Sequence, residues 1–185
     1  MLFNKSEITV LEEFTRSKNA RIYGSDISKK KKLNQKTVSN ILNRLEKENI
    51  LKFKTEGKNK YYFLNERGNN TRELVKLIEI AKKMEFMKRH PKLISVLNEL
   101  ENKTSGILIL FGSYVKNTQN KTSDLDIFVI GEIENIRGVE DSFGVEINII
   151  KTSKIKFDEN QPLVKEVLSN HIIFKGMEDF VELIW

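Results

Sequence analysis

The chain has no cysteine, two histidines, two prolines and one tryptophan in 185 residues. Without cysteine there can be no disulfides, iron–sulfur clusters or thiolate zinc sites. His90 and His171 lie far apart, which leaves zinc without an imidazole ligand set and makes an oxygen-ligated Mg²⁺ or Mn²⁺ site the natural alternative. No apolar run approaches the ~20 residues of a membrane span. The opening Met1-Leu2-Phe3-Asn4-Lys5-Ser6-Glu7 lacks the long apolar core of a signal peptide, so a cytoplasmic protein without membrane contact is expected. The hydrophobic fraction, 39%, is ordinary for a globular chain large enough for one ample core or two small domains.

Acidic residues are scarce at the start. The first 65 residues hold 15 of the 32 Lys and Arg but 7 of the 26 Asp and Glu, a net +8; the remainder carries −2. Such asymmetry predicts that the first third meets a polyanion, nucleic acid before membrane.

In that third, Ser6 is a plausible N-cap for a helix to about Thr15, broken by Lys18-Asn19-Ala20. Arg21-Ile22-Tyr23-Gly24 suits a short strand. Ser25 or Asp26 would cap a second helix that ends in Lys29-Lys30-Lys31-Lys32. Asn34 would cap a third, Gln35 to Glu48, with Val38, Ile41, Leu42 and Leu45 at helical spacing. Ile50–Lys54 and Tyr61–Leu64 read as strands joined through Gly57. Three helices followed by a basic hairpin resemble a winged helix-turn-helix like those of MarR- and ArsR-type regulators. That resemblance implies a DNA-binding face made of Lys36, Thr37, Ser39, Asn40, Asn43, Lys47 and bordering Arg44, with Lys58 and Lys60 in the wing. Asparagine can pair bidentately with adenine, and the cations neutralise phosphates. Such modules also bind proteins, and a lysine run is often only solvated surface; the charge and the polar helix face favour DNA.

Asn65–Asn70 reads as a boundary. Asn70 or Thr71 would cap a long helix to Arg89, with an apolar stripe of Leu74, Leu77, Ile78, Ala81 and Met84, widened by Ile80 and Met87. The stripe would pack on the following domain or on its copy in a homodimer. His90-Pro91 opens another helix with Leu93, Ile94, Val96, Leu97 and Leu100.

The most informative stretch is Ile107–Phe111-Gly112-Ser113, ten residues, then Asp124-Leu125-Asp126 and the apolar Ile127–Ile130. On a strand, Asp124 and Asp126 point one way and Leu125, Ile127 and Val129 the other. Their Cα atoms would lie roughly 6.6–6.8 Å apart. Carboxylates at that separation can converge on two divalent ions about 3.5–4 Å apart. A glycine after a strand permits a tight turn against a ligand, the amides of a helix opened by Ser113–Lys116 would attract an anion, and the serine hydroxyl can donate to a phosphate oxygen. Gly-Ser pairs and Asp-x-Asp strand starts are individually common; their joint spacing carries the reading.

This pattern resembles the minimal nucleotidyltransferases of the DNA polymerase beta superfamily, over roughly residues 90–185. The resemblance implies nucleoside triphosphate phosphates, ATP or another NTP, at Gly112, Ser113 and Lys116, and Mg²⁺ or Mn²⁺ held by Asp124, Asp126 and a third carboxylate on a later strand. Glu146, in Val145–Ile150, is the best match for the third, and Asn148 shares its face. Two features depart from the family: glutamate replaces the commoner aspartate, and Val115-Lys116-Asn117-Thr118 replaces a loop that often holds glycine and arginine. Lys116 or Lys121 could supply the missing cation. A charged irregular segment from Glu132 to Gly144, a short strand at Lys154–Phe157, a helix from Pro162, a strand near His171–Gly176 and a helix from Met177 complete the expectation.

The expected fold is α+β: a winged helix at 1–66, a helical linker at 67–103 and a nucleotidyltransferase domain with a small mixed sheet flanked by helices at 104–185. The expected activity is transfer of NMP, AMP foremost, to a hydroxyl, with a protein acceptor in trans as in toxin–antitoxin pairs. The competing expectations are a DNA-binding transcription regulator whose transferase domain senses nucleotide or only scaffolds, and an adaptor with neither activity.

Overall fold

The computed structural model describes residues 3–18, 20–120 and 122–185. Met1-Leu2 of the opening segment, Asn19 of the first helix break and Lys121, a candidate phosphate cation, lie outside them. Two compact units emerge: one runs to Ile78 and includes Ile184–Trp185, and the other spans Glu79–Leu183.

The first unit holds α1 (Lys5–Thr15), β1 (Ile22–Tyr23), α2 (Gly24–Lys31), α3 (Gln35–Lys47), β2 (Leu51–Glu56) and β3 (Asn59–Leu64). Its three strands form an antiparallel sheet in the order β1-β3-β2. Asn4, not Ser6, caps α1: its side chain accepts from the Glu7 amide while Glu7 reaches back to the Asn4 amide, a reciprocal capping box. Neither Ser25 nor Asp26 caps α2, which begins one residue earlier after an extended Tyr23. Asn34 does cap α3, accepting from the Lys36 amide at 2.8 Å. Val38, Ile41, Leu42 and Leu45 of α3 are buried with Val10, Leu11 and Phe14 of α1 and Leu51 and Leu64 of the sheet. Glu13 is buried among Lys30, Lys31 and Arg16. Burial pushes its carboxyl upward, but the three cations outweigh that and hold it below the ordinary value.

The hairpin turn is shorter than its sequence suggests. Glu56 pairs with Asn59, leaving Gly57 and Lys58 as the two-residue loop, with Gly57 first at φ +59°. Lys60 therefore lies on β3, its ammonium 3.9 Å from the centre of the Phe53 ring.

The helix α4 (Thr71–Arg89) continues the chain. Of the expected stripe, Ile78 is buried and Leu74, Ala81 and Met87 are half-buried, whereas Leu77, Ile80 and Met84 are 41%, 49% and 66% exposed. The buried face also takes in Val75, Glu79 and Phe86, so it carries charge at Glu79 and, beside it, at the half-buried Lys82. Those charges are compensated on the spot: the Lys82 ammonium lies 2.6 Å from Glu79 Oε2, and His171 Nε2 lies 3.3 Å from the same oxygen. Burial alone would raise the Glu79 carboxyl, yet Lys82 and His171 hold it down to about 2.

After a single 3-10 turn at Pro91–Leu93 come α5 (Ile94–Lys103), β4 (Thr104–Phe111), α6 (Gly112–Lys116), β5 (Leu125–Ile133), α7 (Arg137–Phe143), β6 (Ile147–Thr152), α8 (Pro162–Ser169), β7 (Ile172–Lys175) and α9 (Met177–Ile184). Their sheet runs β6-β5-β4-β7, antiparallel except for the parallel β5–β6 pair. Ile107–Leu110 and Ile127–Ile130 are fully buried, the mark of strands covered on both faces. Each such side chain contributes roughly 1.5–3 kcal/mol relative to exposure. One face, with Leu108, Leu110, Leu125, Ile127 and Val129, packs on Phe86, on Val96, Leu97 and Leu100 of α5, and on Val139 of α7. Two expectations fail here. The segment before Gly144 contains α7, which shows only Val139 inward among charged residues, and 154–157 is turn rather than strand. The α7 helix supplies the crossover that a parallel β5–β6 pair requires.

Candidate active site

The motif residues gather at one end of the four-stranded sheet. At the end of β4 the chain turns at Gly112, φ +74°, into the short α6. Phe111 is paired across the ladder with Asp126 of β5. A Cβ built on Gly112 would stand 2.0 Å from Asp126 Oδ2 and 2.7 Å from its Cγ. Glycine is thus required twice, for the backbone angle and for the space the carboxylate occupies.

The third strand arrives in matching register. Asp126 pairs with Asn148 and Leu125 with Ile147, and the Leu125 amide donates to the Glu146 carbonyl at 2.9 Å. Stepping back one residue sets Glu146 opposite Asp124. On the strands themselves Asp126 and Asn148 share one face, while Asp124 and Glu146 each stand one residue ahead of β5 and β6. Asn148 Nδ2 donates to Asp126 Oδ1 at 3.2 Å. Asp124 and Glu146 are exposed, and Asp126 is half-buried. Glu146 precedes β6 and lies just beyond α7, whose Glu140 accepts from the Ile147 amide at 3.1 Å and so anchors the start of the strand.

The four groups offer only oxygen donors and one amide, a set that suits a hard cation such as Mg²⁺ or Mn²⁺. Among the described residues, no three acidic or imidazole groups stand close enough to cage a metal by themselves. Mg²⁺ is ordinarily held by one or two carboxylates together with water and substrate phosphates, so these residues fit it.

Around the loop, Ser113 is half-buried and its carbonyl accepts from the Thr118 amide at 3.0 Å. Asn117 takes the left-handed conformation, φ +56°, at the place where a glycine would do so most easily. Lys116 is exposed and paired with Glu166 of α8 at 2.7 Å. Sequence reasoning missed Arg89, at the end of α4, whose Nη1 donates to Asn117 Oδ1. A guanidinium therefore does reach this loop, from 28 residues upstream, with no local signal that could have announced it. Next to it, His90 stacks on Phe86 at 4.6 Å and meets Tyr114 edge-on at 5.9 Å. Burial first, and the Arg89 charge second, push the His90 pKa down.

In the first unit, Lys36, Thr37, Ser39, Asn40, Asn43 and Lys47 all face solvent from α3. Asn43 Oδ1 also accepts from the Tyr62 hydroxyl at 3.4 Å, and Arg44 is engaged by Glu7 and Glu48. Lys58 and Lys60 are exposed on the hairpin. No helix in the described residues is long and apolar enough to cross a membrane.

Residues 90–181 match the family model for a nucleotidyltransferase domain. One similar solved structure, "Crystal structure of the toxin-antitoxin with AMP-PNP", is 22% identical, covers 51% of this chain and 79% of its own, and has a TM-score of 0.37. No curated protein matches the chain. The residues that match this nucleotidyltransferase model contain Gly112-Ser113 and Asp124-Leu125-Asp126.

Proposed function

We propose that the chain transfers a nucleoside monophosphate, AMP foremost, from a nucleoside triphosphate to a hydroxyl acceptor, and that its first unit is a winged helix that binds DNA. The observation that carries the transferase reading is the seating of Gly112 against Asp126, whose other oxygen accepts from Asn148 across the β5–β6 register. Gly112 and Ser113 would approach the β- and γ-phosphates, and Lys116 and Arg89 would lie within reach of their charge. Asp124 and Asp126 would hold Mg²⁺ or Mn²⁺ with Glu146 beside them, and a bound ion supplies charge neutralisation on the phosphoryl oxygens. The Asn148 amide fixes which Asp126 oxygen turns away from the glycine. Glu146, exposed at the mouth of the site, would accept the proton of the attacking hydroxyl. A bond forms from that oxygen to the α-phosphorus, the bond from the α-phosphorus to the bridging oxygen breaks, and pyrophosphate leaves.

Exposure of Asp124 and Glu146 leaves the site open, which suits a bulky acceptor such as a protein in trans, the arrangement of a toxin–antitoxin pair. For the first unit, the order α1-β1-α2-α3-β2-β3, the sheet order β1-β3-β2 and the polar solvent face of α3 support DNA contact. The exposed Leu77, Ile80 and Met84 offer a homodimer a face to cover.

A second reading has its own support. Lys116 is already paired with Glu166, and Arg89 with Asn117, so both cations near the loop have partners inside the protein. A regulator that binds nucleotide without turnover would be built this way. The two readings part on one assay: α-labelled ATP with Mg²⁺ and host lysate, wild type against Asp124→Ala/Asp126→Ala. Label transferred to a protein by wild type alone establishes the enzyme. Nucleotide binding without transfer, lost in the aspartate variant, favours the regulator or an acceptor missing from the lysate.

A further inference from the structure

The sheet of the first unit has a second face, turned away from the buried core, and it is unlike the first. Leu51, Tyr62 and Leu64 point inward and are buried. The alternate residues pair on the outer side as Lys52 with Phe63 and Lys54 with Tyr61. Beside them opens a cavity of about 320 Å³, lined also by Lys18, Arg21 and Arg67. Five cations thus surround a space that contains one carboxylate, that of Glu66. Among the described residues, no side-chain hydrogen bond or ion pair is seen for Lys18, Lys52, Lys54 or Arg67; the Arg21 guanidinium lies 5.6 Å from the centre of the Tyr61 ring. Other cations of this unit do have acidic partners: Lys30 and Lys31 are tied to Glu12 and Glu13, and Arg44 to Glu7. Clustered like charges without partners destabilise a fold, and an anion relieves that cost.

We propose that this cavity is a nucleotide-binding site, separate from the α3 face and from the acids at 124 and 126. Its volume falls at the lower end of the range for small-ligand pockets. The cations match a phosphate chain or a run of backbone phosphates. The half-buried Phe63 ring, paired across the ladder with Lys52 and lining the cavity, offers a flat apolar face for a base. Phosphates with an adjacent base are found both in a free mononucleotide and in single-stranded nucleic acid.

The test is calorimetric titration of the full chain in EDTA at low salt, with ATP and separately with a 12-mer oligothymidylate. It is run on wild type, Lys52→Glu/Lys54→Glu and Asp124→Ala/Asp126→Ala. The proposal expects at least one probe to bind, at least tenfold weaker binding in the charge-reversed variant, and unchanged binding in the aspartate variant. Binding of ATP assigns the site to mononucleotides; binding of the oligonucleotide alone assigns it to a strand. Amide shifts at Lys52, Phe63 and Arg67 on titrating the wild type give the same answer if the charge-reversed protein misfolds. Failure of both probes to bind, or binding that survives the charge reversal and disappears with the aspartates, overturns the proposal; the second result would leave the transferase site standing.

Discussion

Replacing Gly112 by alanine separates two kinds of strain that usually come together, because the same domain contains a control. Gly144 ends α7 at φ +61°, close to the +74° of Gly112, but a Cβ there meets nothing within 4 Å. Gly144→Ala therefore carries the left-handed penalty alone, about 1–2 kcal/mol, less the roughly 0.4–1 kcal/mol gained by restricting the unfolded chain. Gly112→Ala carries the same terms and also drives Cβ into Asp126 Oδ2 at 2.0 Å. The carboxylate must rotate away, at about 0.5–1.5 kcal/mol for leaving its rotamer, and it forfeits the Asn148 hydrogen bond, about 0.5–1.5 kcal/mol. The clash is thus worth about 1–3 kcal/mol beyond the control. Urea unfolding of both variants, followed by circular dichroism, reads that difference directly, and pyrophosphate release with ATP reads the displaced carboxylate. Nucleotidyl transfer should fall at least a hundredfold in Gly112→Ala and stay near wild type in Gly144→Ala. Equal destabilisation by the two variants, with turnover intact in both, would refute the view that Gly112 is kept small by Asp126.

Other outcomes follow from the same geometry. Glu79 drops from an ordinary value of 4.5 to about 2 on folding, so its contribution, about 3 kcal/mol, is fully present above pH 4.5 and is lost as pH falls toward 2; acid titration of Glu79→Gln should show a flatter loss of stability over that window than wild type. Lys116→Ala should change urea stability by less than about 1 kcal/mol, since its pair with Glu166 is exposed, while raising the KM for ATP several-fold. Arg89→Ala should do likewise and, combined with Lys116→Ala, remove the Mg²⁺-dependent part of the ATP binding measured by calorimetry. Lys36→Ala/Asn40→Ala should weaken duplex DNA binding at least tenfold and shallow its salt dependence by about one phosphate contact; an unchanged salt slope would count against contact through α3.

The two central strands were legible because their signal is local: the apolar runs Ile107–Phe111 and Ile127–Ile130 lie in the buried β4 and β5, while Asp124 falls one residue ahead of β5. Asn148, already on the face of Glu146 by alternation, proved to be the direct partner of Asp126 once the parallel register was fixed. Arg89 was invisible for the opposite reason: it reaches Asn117 only because α4 ends where it does, and no spacing within the loop encodes that. The stripe on α4 was legible only in part, at Ile78, because hydrophobic counting treats Glu79 and Lys82 as outward. Their burial depends on His171, 92 positions away from Glu79 and supplied by the far end of the sheet. The α7 helix escaped notice since one buried valine in seven residues leaves no period to detect.

The parallel pairing of β5 with β6 also makes the site sensitive to the parity of the register between them. A slip of β6 by a single residue would carry the amide of Asn148 to the opposite side of the sheet, away from Asp126. A slip of two would restore the facing while sliding the strand by about 6.6–6.8 Å. A change of length ahead of β6 is therefore compatible with this end of the sheet only where the loop, or a bulge, absorbs it without moving the register.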